Sequence, residues 1–225
     1  MFDFKKEFKD LYQPKTTPVV VDVPGIVAIA IDGVGDPNTS ESYQQAIEVL
    51  YGLSYAIKMG NKATLEYVVA PLEGFWCLTD DFTGTGAPIT DKRKFVWTAF
   101  IRQPDFVTAE VFAAAKAGLA KKKPGLDTSG AKLESFTEGL CVQAMHIGPY
   151  DDEPATIAML DQYASANGYV VDIDDQRRHH EIYLSDPRKV APEKLRTVIR
   201  HPIREATALS ASPPEAQSAQ PSRQS

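Results

Sequence analysis

The chain reads as an α+β fold made of tandem duplicated βαββ units, with antiparallel sheets packed about a pseudo-two-fold and helices on one face. Three observations predict this. Strand-type and helix-type patterns recur in the same strand–helix–strand–strand order in the two halves. Short echoes accompany the order: Tyr67-Val68-Val69 with Tyr169-Val170-Val171, and Ile101-Arg102-Gln103-Pro104 with Leu184-Ser185-Asp186-Pro187. The composition, 43% hydrophobic and 24% charged over 225 residues, supplies an ordinary globular core.

The elements follow in order. Residues 1–17 are a charged lead-in. Strand signals run over 19–31 and are broken by Pro24-Gly25. After a loop at Asp32 to Pro37, a helix is expected over 42–59. Its apolar positions Tyr43, Ala46, Ile47, Leu50, Leu53 and Ile57 recur every three or four residues, and Gly60 stops it. Strands are expected over 65–70, 75–78 and 94–102, with a Gly-, Thr- and Asp-rich loop over 79–92. A helix over 108–122 has Thr108 as its N-cap. The second copy begins at Gly139, with a strand over 140–147 and a helix from Pro154, a favoured first-turn position. Strands over 169–173 and 179–184 follow, and a short helix over 192–200 turns Leu195, Val198 and Ile199 inward. Repeat one thus spans about 18–104 and repeat two about 139–187, within a folded part of 18–205. Residues 206–225, mostly Ala, Ser, Pro and Gln, bury too little apolar surface to order and are expected to be a disordered tail. In this repeat Phe100 matches Tyr183 and Thr98 matches Glu181, so the seam between halves is expected to carry one carboxylate.

Several functions are excluded by what the chain carries. A net charge of −6 argues against nucleic acid and suits a neutral or cationic partner. Lys121-Lys122-Lys123 reads as a helix C-terminus complementing the dipole. The charged N-terminus has no signal-peptide core, and no apolar run reaches the ~20 residues that span a membrane, so a cytoplasmic setting is expected. Cys77 and Cys141 lie apart in apolar runs and read as buried small side chains. No zinc spacing is present, and His179 and His180, adjacent on a strand, point to opposite faces, so neither metal nor other cofactor is expected. Gly33-Val34-Gly35 lacks the further glycines and lysine of a phosphate loop. Asp151-Asp152-Glu153 fits the start of a helix.

The stretch His179 to Pro187 carries the site. As a strand it puts Ile182 and Leu184 on a core face and Glu181 beside Tyr183 on the other. A carboxylate walled by aromatics suits a cation, or acts as a base on water. Tyr67, Phe75, Trp76, Trp97 and Tyr150 supply further aromatic surface, and Glu73 is a second acid in an apolar setting. His146, at a strand end, reads as structural. The candidate ligand-binding set is Tyr67, Glu73, Trp76, Trp97, Tyr150, Glu181 and Tyr183.

These residues carry a resemblance. His146-Ile147-Gly148-Pro149-Tyr150-Asp151-Asp152-Glu153, with His179 to Pro187 and Ala191-Pro192-Glu193-Lys194-Leu195, resembles the GyrI-like small-molecule-binding family. Pro71-Leu72-Glu73-Gly74-Phe75-Trp76 is similar to its stand-alone branch. The resemblance covers about 18–203. It implies a tandem SHS2-type repeat of the same unit, related to the effector-binding domains of multidrug-responsive regulators. In those an acid in an aromatic pocket receives lipophilic cations. Glu181 matches the family's pocket acid and Tyr150 the Tyr of its HxGPY motif. Residues 1–17 are too short for a helix-turn-helix, so direct DNA binding is not expected. Three functions follow. The first is binding of hydrophobic or cationic small molecules in the aromatic pocket. The second is a cyclopropanoid hydrolase that opens the ring of DNA-alkylating natural products, with Glu181 as general base and Tyr150 as hydrogen-bond donor. The third is modulation of a protein partner such as a topoisomerase.

Overall fold

The computed structural model of the protein describes residues 1–78 and 91–206. The strands are β1 (Val19–Val23), β2 (Ile26–Val34), β3 (Leu72–Leu78), β4 (Phe95–Gln103), β5 (Lys132–Phe136), β6 (Gly139–Ile147), β7 (Tyr169–Val171), β8 (His179–Tyr183) and β9 (Arg196–Glu205). The helices are α1 (Phe4–Glu7), α2 (Lys9–Tyr12), α3 (Glu41–Gly60), α4 (Ala109–Lys122) and α5 (Glu153–Ala166). Ser40 and Thr108 cap α3 and α4, their hydroxyls accepting from the amides of Tyr43 and Val111. Most of the expected loop over 79–92, and the tail from 207, lie outside the described residues.

The strands form one mixed-order, all-antiparallel sheet: β1-β6-β9-β8-β3-β4-β2-β5, with β7 paired to the far end of β9. The duplication is visible in this order. Unit one is β2-α3-β3-β4 and unit two is β6-α5-β8-β9. In each, the last strand lies between the other two, and β3 meets β8 at the seam. Gly35 and Gly148 end β2 and β6 alike, at φ 116° and 143°, a backbone conformation that disfavours a side chain. β8 therefore corresponds to β3, not to β4. The expected match of Thr98 to Glu181 and Phe100 to Tyr183 is corrected accordingly: residue 181 faces Gly74 across the seam.

Three further elements differ from expectation. Residues 196–205 are a central strand rather than a helix, preceded only by a 3₁₀ turn at Pro192–Lys194. Positions 197–203 are buried on both faces, so the alternation that marks a strand is absent, and Pro202 disguises it further. Residues 65–70 make only an isolated bridge, Phe2 to Tyr67. β5 was not anticipated, because its KLESF sequence is that of a polar edge strand. The lead-in is not free either. Phe4, Leu11 and Tyr12 are buried against the sheet, and the Arg102 guanidinium lies 4.9 and 4.2 Å from the Phe4 and Phe8 ring centres. The 3–4 spacing of these apolar residues docks an otherwise charged segment.

The two sheet faces differ in kind. On one, α3 lies over β2 and β4, and α5 over β6 and β9. The seam strands β3 and β8 are left at the bottom of the gap between the helices. The other face carries a buried polar network. The His180 ring lies 3.0 Å from Glu138 through Nδ1 and 3.1 Å from Glu73 through Nε2. Arg200 donates to Glu138 (2.8 Å), to Gln143 and to the Leu11 carbonyl, and the Tyr12 hydroxyl donates to Glu73 (2.9 Å). With a carboxylate at each ring nitrogen, His180 holds both protons. Burial alone would lower its pKa, but Glu138 and Glu73 outweigh it and raise it; burial likewise opposes ionisation of Glu138, yet His180 and Arg200 hold that carboxyl at about 2.

Removing one partner of such a buried network leaves a charge uncompensated, so His180→Gln is expected to cost about 3–5 kcal/mol of unfolding free energy. The pH dependence has a definite sign. The depressed Glu138 contributes stability above pH 4.5 that is lost as pH falls toward about 2. The raised His180 contributes stability below pH 6.5 that is lost as pH rises through its folded value. Denaturant unfolding across pH should show this network's contribution greatest between those limits, and Glu138→Gln should flatten the acid limb.

Candidate functional site

Period 2 along β3 and β8 decides which side chains reach the gap between α3 and α5. Residues directly opposite in an antiparallel pair share a face. Gly74 opposes Glu181, Trp76 opposes His179 and Leu72 opposes Tyr183, so all six residues face the helices. The gap is an open cleft of about 1720 Å³. Its walls are Tyr43, Ile47 and Tyr51 from α3, Trp76 and Phe95 from the sheet, and Tyr150 with Ile157 near and on α5. At its floor lie Glu181, Tyr183, His179 and Glu153.

The floor is held by a continuous set of hydrogen bonds. The Tyr183 hydroxyl donates to Glu181 Oε2 (2.7 Å) and accepts from Trp76 Nε1 (2.9 Å). Gly74 makes this possible, because a Cβ there would lie 2.8 Å from Trp76 Nε1. The other Glu181 oxygen lies 2.9 Å from His179 Nε2; His179 Nδ1 lies 2.8 Å from His201 Nε2, and His201 Nδ1 lies 3.0 Å from Asp161 on α5. Tyr150 packs edge-on against Tyr183 with centroids 5.8 Å apart, and Trp76 lies between Tyr43 and Phe95. His146 fixes the turn that presents Tyr150, its nitrogens 2.9 Å from the Thr156 hydroxyl and 3.0 Å from the Pro149 carbonyl.

Two acids share the floor. Glu153 is 6% exposed, and burial together with the charge of Glu181 raises its pKa well above the usual carboxylate range. Burial and the neighbouring Glu181 thus favour the protonated form of Glu153, which can donate to Glu181. The same surroundings raise Tyr183 well above 10 and Tyr150 to about 12, burial being the larger cause in both. Both phenols are neutral donors.

The structure brings together Glu181, Tyr183, Tyr150 and Trp76 from the expected set and places three others elsewhere. Glu73 is buried on the opposite face, in the His180 network, because a residue three positions from Trp76 on a strand cannot share its face. Trp97 shares the face of Trp76 but lies under α3, edge-on to Tyr43 at 4.9 Å and packed over Gly33, which leaves room for its ring. Tyr67 is buried against Phe106, outside the cleft. Sequence reasoning missed Glu153, read as a helix-start acid, and the His179–His201–Asp161 chain. Glu153 stands one helical turn after Tyr150, the spacing that puts both on the cleft side. The expected single carboxylate at the seam is therefore two, the second coming from α5. Among the described residues no group of acid, His and Cys side chains is arranged to hold a metal.

An α+β tandem fold with an aromatic cleft over a carboxylate defines a small-molecule-binding domain. The chain belongs to the GyrI-like small molecule binding domain family, whose model matches residues 16–204. It is similar to an uncharacterized conserved protein from Listeria innocua, at 44% identity and TM-score 0.84 over 91% of this chain and 100% of that one. It is also similar to a hydrolase from Listeria innocua, at 43% identity and TM-score 0.82 over the same shares. The C-terminal domain of EcmrR shares the fold at 13% identity and TM-score 0.50, over 84% of this chain and 98% of that domain. No curated protein matches the chain. No helix among the described residues is long and apolar enough to cross a membrane.

Because Glu153 binds its proton more tightly in the folded protein, its presence lowers stability as pH rises from 4.5 through its folded value. Glu153→Gln keeps the shape and the donor without that penalty. Its thermal midpoint should exceed that of the wild type at pH 8, and the gap should close toward pH 4.5.

Proposed function

We propose that the protein binds hydrophobic, cationic small molecules between α3 and α5, with Glu181 opposing the ligand's charge. The observation that carries this is a carboxylate, 14% exposed, at the floor of an aromatic cleft. Tyr43, Trp76, Phe95, Tyr150 and Tyr183 offer ring faces and edges to a flat cation, each contact worth about 0.5–2 kcal/mol. The family's description supports a small-molecule ligand.

Titration with rhodamine 6G, a fixed lipophilic cation, and with uncharged Nile red tests the reading. Glu181→Gln should weaken rhodamine 6G binding about tenfold or more, equivalent to at least ~1.4 kcal/mol, and leave Nile red binding within about twofold. Equal losses for both dyes would remove Glu181 from the charge-recognition role.

A second reading is hydrolysis of a strained, electrophilic ring. It draws on the raised pKa of Glu153 beside Glu181 and on the 43%-identical hydrolase. Glu181 would take a proton from water as the water oxygen bonds to a cyclopropane carbon. The ring C–C pair would move to a conjugated oxygen, which takes a proton from Tyr150 or Glu153. Incubation with a cyclopropane-bearing alkylator should then give a product heavier by one water with wild type and none with Glu181→Gln. A compound returned unchanged by the wild type would leave binding as the function.

A further inference from the structure

The chain Asp161–His201–His179–Glu181 contains two carboxylates joined through two imidazoles by three contacts of 3.0, 2.8 and 2.9 Å. Each contact at such a distance holds one proton between its heavy atoms. Two neutral imidazoles supply only two, because each carries a single N–H. A third proton is therefore stored in the chain. Its two ends differ. Glu181 is at the cleft floor with a side chain 14% exposed, whereas the Asp161 side chain, on α5 where it borders the same cleft, is 42% exposed to water.

We infer that this chain exchanges its stored proton for the charge of a bound cation, so that the cleft takes up a lipophilic cation and releases a proton through Asp161. The inference rests on the cation-binding reading above. A fixed positive charge beside Glu181 repels the nearest mobile positive charge. The stored proton has a hydrogen-bonded way out: His179 Nδ1 hands a proton to His201 Nε2, and His201 Nδ1 hands one to Asp161, which passes it to water. No bond other than N–H and O–H is made or broken. After the loss, the contact left without a proton is the one between His201 and Asp161, where water can enter at the exposed end. Burial lowers the pKa of His201, so the extra proton does not rest there and is passed on toward Asp161.

The other groups around the chain do not offer the same route. From β8, Tyr183 donates to Glu181 and has a raised pKa, and Tyr150 from the turn before α5 and Tyr43 from α3 are near enough to feel the Glu181 charge and are raised too, burial being the larger cause. Glu153 on α5 holds its proton tightly, and its Oε1 has no hydrogen-bond partner through which to pass one outward. Lys92 and Asp151 at the rim neutralise one another at 2.7 Å.

Asp161→Asn separates this device from a merely structural contact. An amide can turn its NH₂ toward His201 Nδ1; His201 then donates through Nε2 to His179, and His179 through Nε2 to Glu181. All three contacts are satisfied by two neutral imidazoles, and no third proton is stored. The test is calorimetric titration of rhodamine 6G into the full chain in phosphate and in Tris at pH 7, buffers whose ionisation enthalpies differ. For wild type, the buffer difference should report release of about one proton per bound dye. For Asp161→Asn it should fall close to zero while the dye still binds. Nile red should release none from either protein. Binding of rhodamine 6G by wild type with the same enthalpy in both buffers would overturn the inference and leave the cation reading standing. Undiminished release from Asp161→Asn would overturn it too. Absence of rhodamine 6G binding altogether would remove the cation reading first, and the exchange with it.

Discussion

A histidinium held between two carboxylates at the middle of the sheet is the constraint on which the rest of the structure depends. His180 belongs to unit two, Glu73 to unit one and Glu138 to the start of β6. The seam between the units is a single antiparallel pairing of β3 with β8, and the network beneath it fixes the register of that pairing. Register matters more here than at any other pair of strands. A one-residue slip would turn His180 into the cleft and bury Glu181 without its partners. Burying charges is unfavourable unless every one is matched, and here the match is met from four directions: Arg200, Glu138, Glu73 and Tyr12. The same requirement explains why the N-terminal turns dock. Tyr12 completes the hydrogen bonding of Glu73, and the Leu11 carbonyl completes that of Arg200.

The two faces of one short strand thus do separate jobs. On the network side, charge is locked and fully paired. On the cleft side, Glu181, Glu153 and the imidazoles of His179 and His201 face open space. The sheet between them is one residue thick, yet the side chains of His179 and His180 contact different partners throughout. This arrangement separates the contacts of the cleft floor from the pairing that holds the seam.

Much of the fold was legible from periodicity. The helices α3, α4 and α5, the cap at Thr108 and the break at Pro24-Gly25 all follow from spacing and turn chemistry, whereas the second unit, expected to end at 187, takes β9 rather than β7 as its third strand. Strand β9 was not legible, because burial on both faces erases alternation and leaves Leu195, Val198 and Ile199 at a helix-like spacing. Of the site, Glu181 and Tyr183 were legible through their shared parity, and His179 and His180 through their opposed parity. Glu73 was misplaced although the same parity argument, applied to Trp76, sends it to the far face. Glu153, Asp161 and His201 were hidden for another reason. They reach Glu181 only through tertiary packing of α5 and β9, and no local pattern distinguishes such an acid from one that serves a helix start.

The network has a consequence for the order in which the chain can fold. It joins Leu11, Tyr12, Glu73, Glu138, His180 and Arg200, which between them span most of the sequence. Such contacts close long loops and form slowly. During synthesis the central strands cannot be completed until Arg200 has left the ribosome, since β9 lies between β6 and β8. Unit one, whose three strands and helix are contiguous in sequence, must therefore wait with β3 as an open edge, and the nascent chain is most exposed to misassembly in that interval.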